Sequence, residues 1–257
     1  MRNIEDVKKN FLVRIPDSTK MFSQADEYFT VIHKDTEQVL KLHDYVEIYK
    51  IPGLYKHLLL DVLGDQSPAT LSSRLIDQVS KAGESANDLK VLDMGAGIGL
   101  SGRSLAQNGV QSMVGLDILP EARDASHREL PGTYLEYYVA DLLKLSEKTK
   151  TELINHQFNC LVCCSALTYH LPIQAFIEAF NLIADSGWVA FNVGQSKLDA
   201  KYSLNDDFYQ FFKAATDNKI FEVNQIYHYQ HRLSMLGNPI YYCAVIGRKK
   251  RNFFLGN

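Results

Sequence analysis

The run Val91-Leu92-Asp93-Met94-Gly95-Ala96-Gly97-Ile98-Gly99-Leu100-Ser101-Gly102 constrains the fold of this chain more than any other stretch. A short apolar strand enters clustered glycines and turns at once into a helix, the shape of a nucleotide-binding crossover. Glycines are needed there because a Cβ would hold the backbone away from a ligand and because the turn uses positive φ. Two readings fit. Gly97 to Gly102 is a literal G-x-G-x-x-G, the dinucleotide fingerprint. Read from Gly95, the same stretch is G-x-G-x-G with Asp93 just upstream, and Gly102 becomes a small packing residue in the following helix.

The rest of the chain is consistent with an α/β fold. From Lys90 onward, strand and helix alternate. Strands are expected over Lys90–Asp93, Ser112–Asp117, Tyr134–Ala140, Phe158–Ser165 and Trp188–Val193, with helices over Leu100–Gln107, Pro120–Leu130, Ser146–Asn155 and Pro172–Ile183. Ile173, Phe176, Ile177 and Phe180 fall at helical spacing on one face. Phe158 to Ser165 is continuously apolar, as a strand buried on both faces should be. This alternation predicts a mainly parallel sheet covered on both sides, with right-handed crossovers. A helix over Asn205–Thr216 is followed by two strand-like runs, Phe221–Ser234 and Ile240–Gly247, joined through Gly237-Asn238-Pro239 and therefore antiparallel.

Upstream, Tyr28–His33 and Gln38–His43 read as a β-hairpin, then a helix runs through about Leu63. Ser67-Pro68 opens another helix, with Leu71, Leu75, Ile76 and Val79 on one face. Residues 1 to 25 suggest one loose helix. We expect residues 1–66 to form a hairpin-and-helix cap and residues 67–257 the α/β core.

A formal net charge of −3 argues against nucleic acid as the main partner, since phosphate binding usually shows as a basic face. The one basic cluster, Arg248-Lys249-Lys250-Arg251, reads as a solvated strand end. No apolar run is long enough to span a bilayer. The start of the chain lacks a signal-peptide core, and three of the four cysteines (Cys160, Cys163 and Cys164, but not Cys243) share one apolar run. These features predict a cytoplasmic protein with no membrane partner and no disulfide framework. No metal site is expected, because Cys163 and Cys164 point to opposite faces of a strand.

Three acids distinguish the two readings of the glycine stretch. Asp93 lies inside the end of its strand, where a pyrophosphate would be repelled and a cationic ligand tolerated. Asp117 ends the next strand, about 20 residues beyond Gly97, placed to accept ribose hydroxyls in either reading. Asp141 follows the third strand and has no counterpart in the dinucleotide fingerprint. Each could instead be a turn cap or an exposed strand end, but they occur together on the side where ligands bind in such sheets.

Val91 to Gly99, Gly115-Leu116-Asp117-Ile118, Ala140-Asp141-Leu142 and Phe158 to His170 resemble the ordered motifs of class I S-adenosylmethionine-dependent methyltransferases. The resemblance covers about Lys90 to Gly247. It implies a Rossmann-like three-layer sandwich with a seven-stranded, mainly parallel sheet and a terminal antiparallel strand. It also implies S-adenosyl-L-methionine as cofactor and S-adenosyl-L-homocysteine as product. Gly95, Gly97 and Gly99 would lie against the methionine part, Asp117 would hold the ribose, Ile118 would pack on the adenine, and Asp141 with Leu142 would meet its edge. The segment His43-Asp44-Tyr45-x-x-Ile48-Tyr49-x-x-Pro52-Gly53-Leu54-Tyr55 is similar to one in little-characterised bacterial methyltransferases of this class.

Methyl transfer needs alignment, exclusion of water and sometimes a proton acceptor, so no obligatory catalytic motif exists. Ser165, Tyr169 and His170 follow the fourth strand, where donor and acceptor should meet. The Asn/Asp-Pro-Pro-aromatic signature of enzymes that methylate base or amide nitrogens is absent there. His170 is the best-placed base in sequence, with His43 in the cap a second; His170 could instead cap the helix that follows. Tyr45, Tyr49 and Tyr55 could wall the sulfonium by cation–π attraction or pack in a core. His231 and Arg232 could anchor a carboxylate or decorate a strand surface. The reading is methyl transfer to oxygen or nitrogen of a small molecule, possibly one that bears a carboxylate. An NAD(P)-dependent oxidoreductase and a non-catalytic cofactor-binding protein stand as alternatives. The oligomeric state is not legible.

Overall fold

The computed structural model describes residues 2–5, 10–16, 23–167 and 171–254. The chain opens with four antiparallel strands in sequence order, β1 (Arg2–Glu5), β2 (Phe11–Ile15), β3 (Tyr28–His33) and β4 (Thr36–Lys41). The β3–β4 hairpin is the one expected. The loose helix expected before it is not found among the described residues of that segment, two strands taking its place. The reason lies in Phe11, Val13 and Ile15, which alternate with half-buried residues and put their side chains into one apolar cluster with Phe29, Val31 and Leu40.

Next come α1 (Tyr45–Lys50) and α2 (Leu54–Lys56), the latter continuing in wider π-helical turns over His57–Val62. Ile48, Leu54, Leu58 and Leu63 close the same cluster from above. The helix α3 (Ser67–Lys81) then leads into the large sheet.

The core alternates β5 (Lys90–Met94), α4 (Leu100–Gln107), β6 (Ser112–Asp117), α5 (Pro120–Glu129), β7 (Glu136–Val139), α6 (Glu147–Asn155), β8 (Cys160–Cys163), α7 (Ile173–Leu182) and β9 (Trp188–Gly194). Short α8 (Ala200–Ser203) and α9 (Asp207–Asp217) precede two long strands, β10 (Phe221–Leu233) and β11 (Pro239–Lys249). The sheet order is β10-β11-β9-β8-β5-β6-β7. Only β11 runs against its neighbours, pairing antiparallel with both β9 and β10, so the reversed strand is slotted inside the sheet beside its edge.

Alternation along the central strands builds the three layers. Val91, Cys160 and Val162 face Leu71, Leu75 and Leu105 of α3 and α4. Their neighbours Leu92, Leu161 and Cys163 face Phe176 and Phe180 of α7 and Phe211 of α9 on the other side. That second layer is dense in rings: Phe176 meets Phe191 edge-on at 5.5 Å and Phe211 at 5.7 Å. Each such pair contributes about 0.5–1.5 kcal/mol beyond the area it buries.

The basic cluster is only in part the solvated strand end expected: Lys250 and Arg251 are exposed, but Arg248 and Lys249 are not free in solvent. Lys249 is buried, donating to Ile183 O at 2.5 Å, and burial pushes its ammonium pKa down. Arg248 lies 3.6 Å over the Trp188 ring and pairs with Glu84. These side chains lock the outer end of β11 to its surroundings. No described helix is long and apolar enough to cross a membrane.

Candidate active site

One cavity of about 740 Å³ opens beyond the carboxyl ends of β5, β6, β7 and β8 and is roofed by α1, α2 and the turn before α1. Its floor is the glycine turn. Gly95 has φ +67°, and a Cβ there would lie 2.6 Å from Ala166 Cβ. At Gly97 (φ +53°) a Cβ would come within 2.9 Å of the Tyr49 hydroxyl. Both positions need left-handed backbone and close approach, which only glycine supplies without strain.

Asp117, at the end of β6, holds this turn. Its Oδ2 accepts the Gly97 N–H at 2.9 Å and its Oδ1 the Leu119 N–H at 3.0 Å. Burial pushes its carboxyl pKa up, and these amide bonds work against that rise. Each oxygen keeps further acceptor capacity, and Asp117 lines the cavity. Ile118 beside it is 62% exposed and Leu143 is 46% exposed, both on the cavity wall. Two large apolar side chains are thus left open on the cavity wall. Asp141 and Leu142 line the same wall, Asp141 also accepting the Leu143 N–H at 2.9 Å.

Asp93 is placed differently from the expectation. It does not line the cavity; it lies fully buried beneath the turn. Ser101 Oγ and Tyr134 Oη donate to its Oδ2 at 2.7 and 2.6 Å, while Oδ1 is buried with no hydrogen-bond partner. Burial raises its carboxyl pKa to about 6. Its direct role is to anchor α4 and β7 to the underside of the glycine turn. Gly99 also stands off the cavity, as the left-handed N-cap of α4.

The roof carries the three tyrosines singled out in the cap. Tyr45 stacks on Tyr49 at 5.9 Å, and Tyr55 meets Tyr49 edge-on at 5.1 Å. All three line the cavity. Burial pushes the Tyr45 hydroxyl up to about 12, and those of Tyr49 and Tyr55 upward as well, so all are neutral donors near pH 7. The roof is pinned to α5 by Arg128, which donates to Tyr49 O at 2.8 Å, and by Glu129, which accepts the Gly53 N–H at 3.1 Å. His43 is half-buried on the cavity wall, edge-on to Tyr45 at 5.7 Å. Tyr169 and His170 lie outside the described residues.

Ser165 lies at the end of β8 with φ +59°. It is held in that conformation by Asn192, whose Oδ1 accepts its N–H at 2.5 Å and whose Nδ2 donates to its Oγ at 3.1 Å. Asn192 Nδ2 also donates to Tyr229 Oη at 2.8 Å, which in turn contacts Ser67 Oγ at 2.8 Å. Ser67 Oγ lies 2.5 Å from His231 Nδ1, and Asp65 Oδ1 lies 3.1 Å from the same nitrogen. A continuous buried polar chain therefore joins the end of β8 to His231.

His231 and Arg232 are not surface decoration. β10 is bulged there: Gln230 pairs with Tyr241 and Arg232 with Ile240, leaving His231 unpaired in the register. The extra residue breaks the two-residue alternation, so two consecutive side chains point inward. Arg232 does not offer its fork to a ligand carboxylate, because Glu27 already occupies it. Nη2 meets Oε2 at 2.6 Å and Nη1 meets Oε1 at 3.3 Å, both side chains being buried. Sequence reasoning missed Glu27, Asp65 and Tyr242, which reach the site from distant parts of the chain. It also passed over Leu143, next to the motif Ala140-Asp141-Leu142.

Residues 91–187 match a family model described as a methyltransferase domain. A comparison with curated proteins gives no match. A Pyrococcus horikoshii protein provisionally described as an RNA methyltransferase is similar in structure, with TM-score 0.51 and 14% identity over 72% of this chain and 87% of that one. Magnesium protoporphyrin IX methyltransferase from Synechocystis, solved with S-adenosylmethionine bound, gives TM-score 0.49 and 13% identity, over 71% and 79%. The first of these likenesses shows the fold; the matched family model covers the glycine turn and the strand ends that wall the cavity. Residues 91–187 carry a methyltransferase domain, within a fold shared with a structure described as a methyltransferase.

Proposed function

We propose that this domain methylates an oxygen or nitrogen of a small molecule, and that its cavity holds cofactor and acceptor together. The observation that supports this most is the composition of this cavity: a glycine turn with Asp117, the exposed apolar side chains of Ile118 and Leu143 on its wall, and a tyrosine roof whose Tyr49 lies against Gly97. In this reading Asp117 takes the ribose hydroxyls while its remaining lone pairs keep the turn in place. Ile118 and Leu143 sandwich the adenine, and Asp141 meets its edge. Gly95 and Gly97 let the backbone run against the methionine part. When bound, the cofactor supplies a methyl group on positively charged sulfur. Tyr45, Tyr49 and Tyr55 exclude water from that end and turn electron-rich ring faces toward positive charge.

The acceptor in this reading is neutral or cationic. Asp44, Glu47, Asp65, Asp117 and Asp141 line the cavity, whereas the one arginine among its described lining residues, Arg232, is neutralised by Glu27. A carboxylate-bearing acceptor would find no open lysine or arginine among the described residues there. The roof also limits size, since α1 and α2 cover the face where a polymer would have to enter. Calorimetry with S-adenosylhomocysteine tests the first half: absence of binding would refute it. A panel of labelled-methyl reactions tests the second, expected to succeed with small amines or hydroxyl compounds. Turnover of anionic acceptors in preference to neutral ones would overturn the charge argument.

A further inference from the structure

We propose that His231 is the general base that takes the acceptor's proton, held in its working tautomer by Asp65. The proposal rests on the cofactor reading above. Four groups on the cavity wall could in principle take a proton: thiol, phenols, carboxylates and imidazoles. Burial pushes the Cys164 thiol up, as it does the three tyrosine hydroxyls, so these stay protonated near neutrality. Asp117 is committed to the glycine turn, Asp141 to the turn after β7, Asp44 to the Lys41 N–H at 2.8 Å, and Glu47 to the Lys50 ammonium at 2.7 Å. Two imidazoles are left among the described residues, His43 and His231.

The geometry around His231 suits it to the role. His231 Nδ1 lies between Ser67 Oγ at 2.5 Å and Asp65 Oδ1 at 3.1 Å, and its ring stacks on Tyr242 at 4.1 Å. A bare Nδ1 lone pair would face the carboxylate at close range and be repelled. We assign the proton of the neutral ring to Nδ1, which leaves the lone pair on Nε2. Both Asp65 and His231 line the cavity. Asp65 is fixed in turn by the Ser67 N–H at 2.8 Å. The bulge in β10 exists where it delivers this ring, and bulges re-aim side chains beside active sites.

The proton balance is simple. The acceptor gains one methyl group and loses one proton from its O–H or N–H. That proton goes to Nε2, and the resulting imidazolium is stabilised by the Asp65 carboxylate, as in other histidine–carboxylate pairs. The charged or titratable groups facing the ring are Asp65 from the turn before α3, Tyr229 through Ser67, Tyr242 of β11, and the paired Arg232 and Glu27 next to it.

The test is nitrogen NMR on histidine-labelled protein, with His231→Gln used to assign the resonance. The expected spectrum shows the Nδ1–H tautomer. Asp65→Asn should reduce the Nδ1–H population severalfold, whereas Ser67→Ala, which keeps the carboxylate, should preserve it. His231→Gln should also lower methyl transfer to small hydroxyl or amine acceptors at least about tenfold, while S-adenosylhomocysteine affinity stays within about twofold of the parent. An Nε2–H tautomer in the parent protein, or methyl transfer by His231→Gln at the parent rate, would overturn the proposal. If calorimetry shows that S-adenosylhomocysteine does not bind, the cofactor reading fails instead, and the tautomer of the free protein still decides the role of Asp65.

Discussion

Glu27→Gln is the most informative test of how the cap is tied to the core. Glu27 enters β3 and Arg232 lies in the bulged end of β10, and each side chain is 3% exposed. Glu27 also accepts the Met235 N–H at 2.7 Å. Glutamine keeps the shape and one acceptor oxygen, so the change isolates the charge. Removing one partner of a buried ion pair costs about 3–5 kcal/mol, since the other charge stays desolvated without compensation. Domains have only about 5–15 kcal/mol of stability in total, so this loss would be a large share. For a chain of this size it corresponds to a fall in Tm of about 6–20 °C. Urea and thermal unfolding followed by circular dichroism would measure it. Replacing both partners by apolar residues, Glu27→Leu with Arg232→Met, should recover most of the loss. A Glu27→Gln protein within about 1 kcal/mol of the parent, or a double variant no better than the single, would refute the argument.

Other outcomes follow from the site. Asp117→Ala should weaken S-adenosylhomocysteine binding by about 1.5–3 kcal/mol, roughly ten- to 150-fold, measured by calorimetry; a change under about 0.5 kcal/mol would remove Asp117 from the ribose. Asp93 has a folded-state pKa raised to about 6, above its unfolded value, so the folded protein binds the extra proton. Its favourable contribution is complete below about pH 4 and is lost as pH rises through about 6, a difference of about 3 kcal/mol. Asp93→Asn should flatten the stability–pH curve across that window, and an unchanged slope in urea titrations would show the carboxyl to be unperturbed. Gly97→Ala should cost about 1–2 kcal/mol from left-handed backbone alone, with more from the Tyr49 hydroxyl at 2.9 Å. Adding Tyr49→Phe should return only the second part in a double-variant cycle, and strictly additive losses would exclude the contact.

The core was legible because its signals are local. Ile173 to Phe180 shows its helix by spacing, and Cys160 to Cys163 shows its buried strand by an unbroken apolar run. The strand Phe11–Ile15 also carried a local signal, its alternation, but was hidden by irregular flanks. The polar half of the site lacked any such signal. Asp65 and His231 are brought together only by folding, and nothing around Asp65 distinguishes it from an ordinary solvated turn residue. The bulge has no composition of its own in Gln230-His231-Arg232, so strict alternation would place one of the two inner side chains outside. Lys249 reads as solvent-facing because charge is visible in sequence and carbonyl acceptors such as Ile183 O are not.

The junction between α2 and α3 ties the cap to β10 by main-chain bonds. Gln66 N–H donates to His231 O at 2.8 Å, and Leu233 N–H donates to Leu63 O at 2.7 Å. Asp65 and Ser67 belong to that same junction, so they reach the imidazole only while it lies against the strand. Any movement that lifts the junction strips His231 of its carboxylate and hydroxyl in the same event. The junction and the partners of the imidazole are thus one structural unit. Hydrogen exchange reports it directly: the Gln66 and Leu233 amides should exchange at one common rate, slowed together when S-adenosylhomocysteine binds.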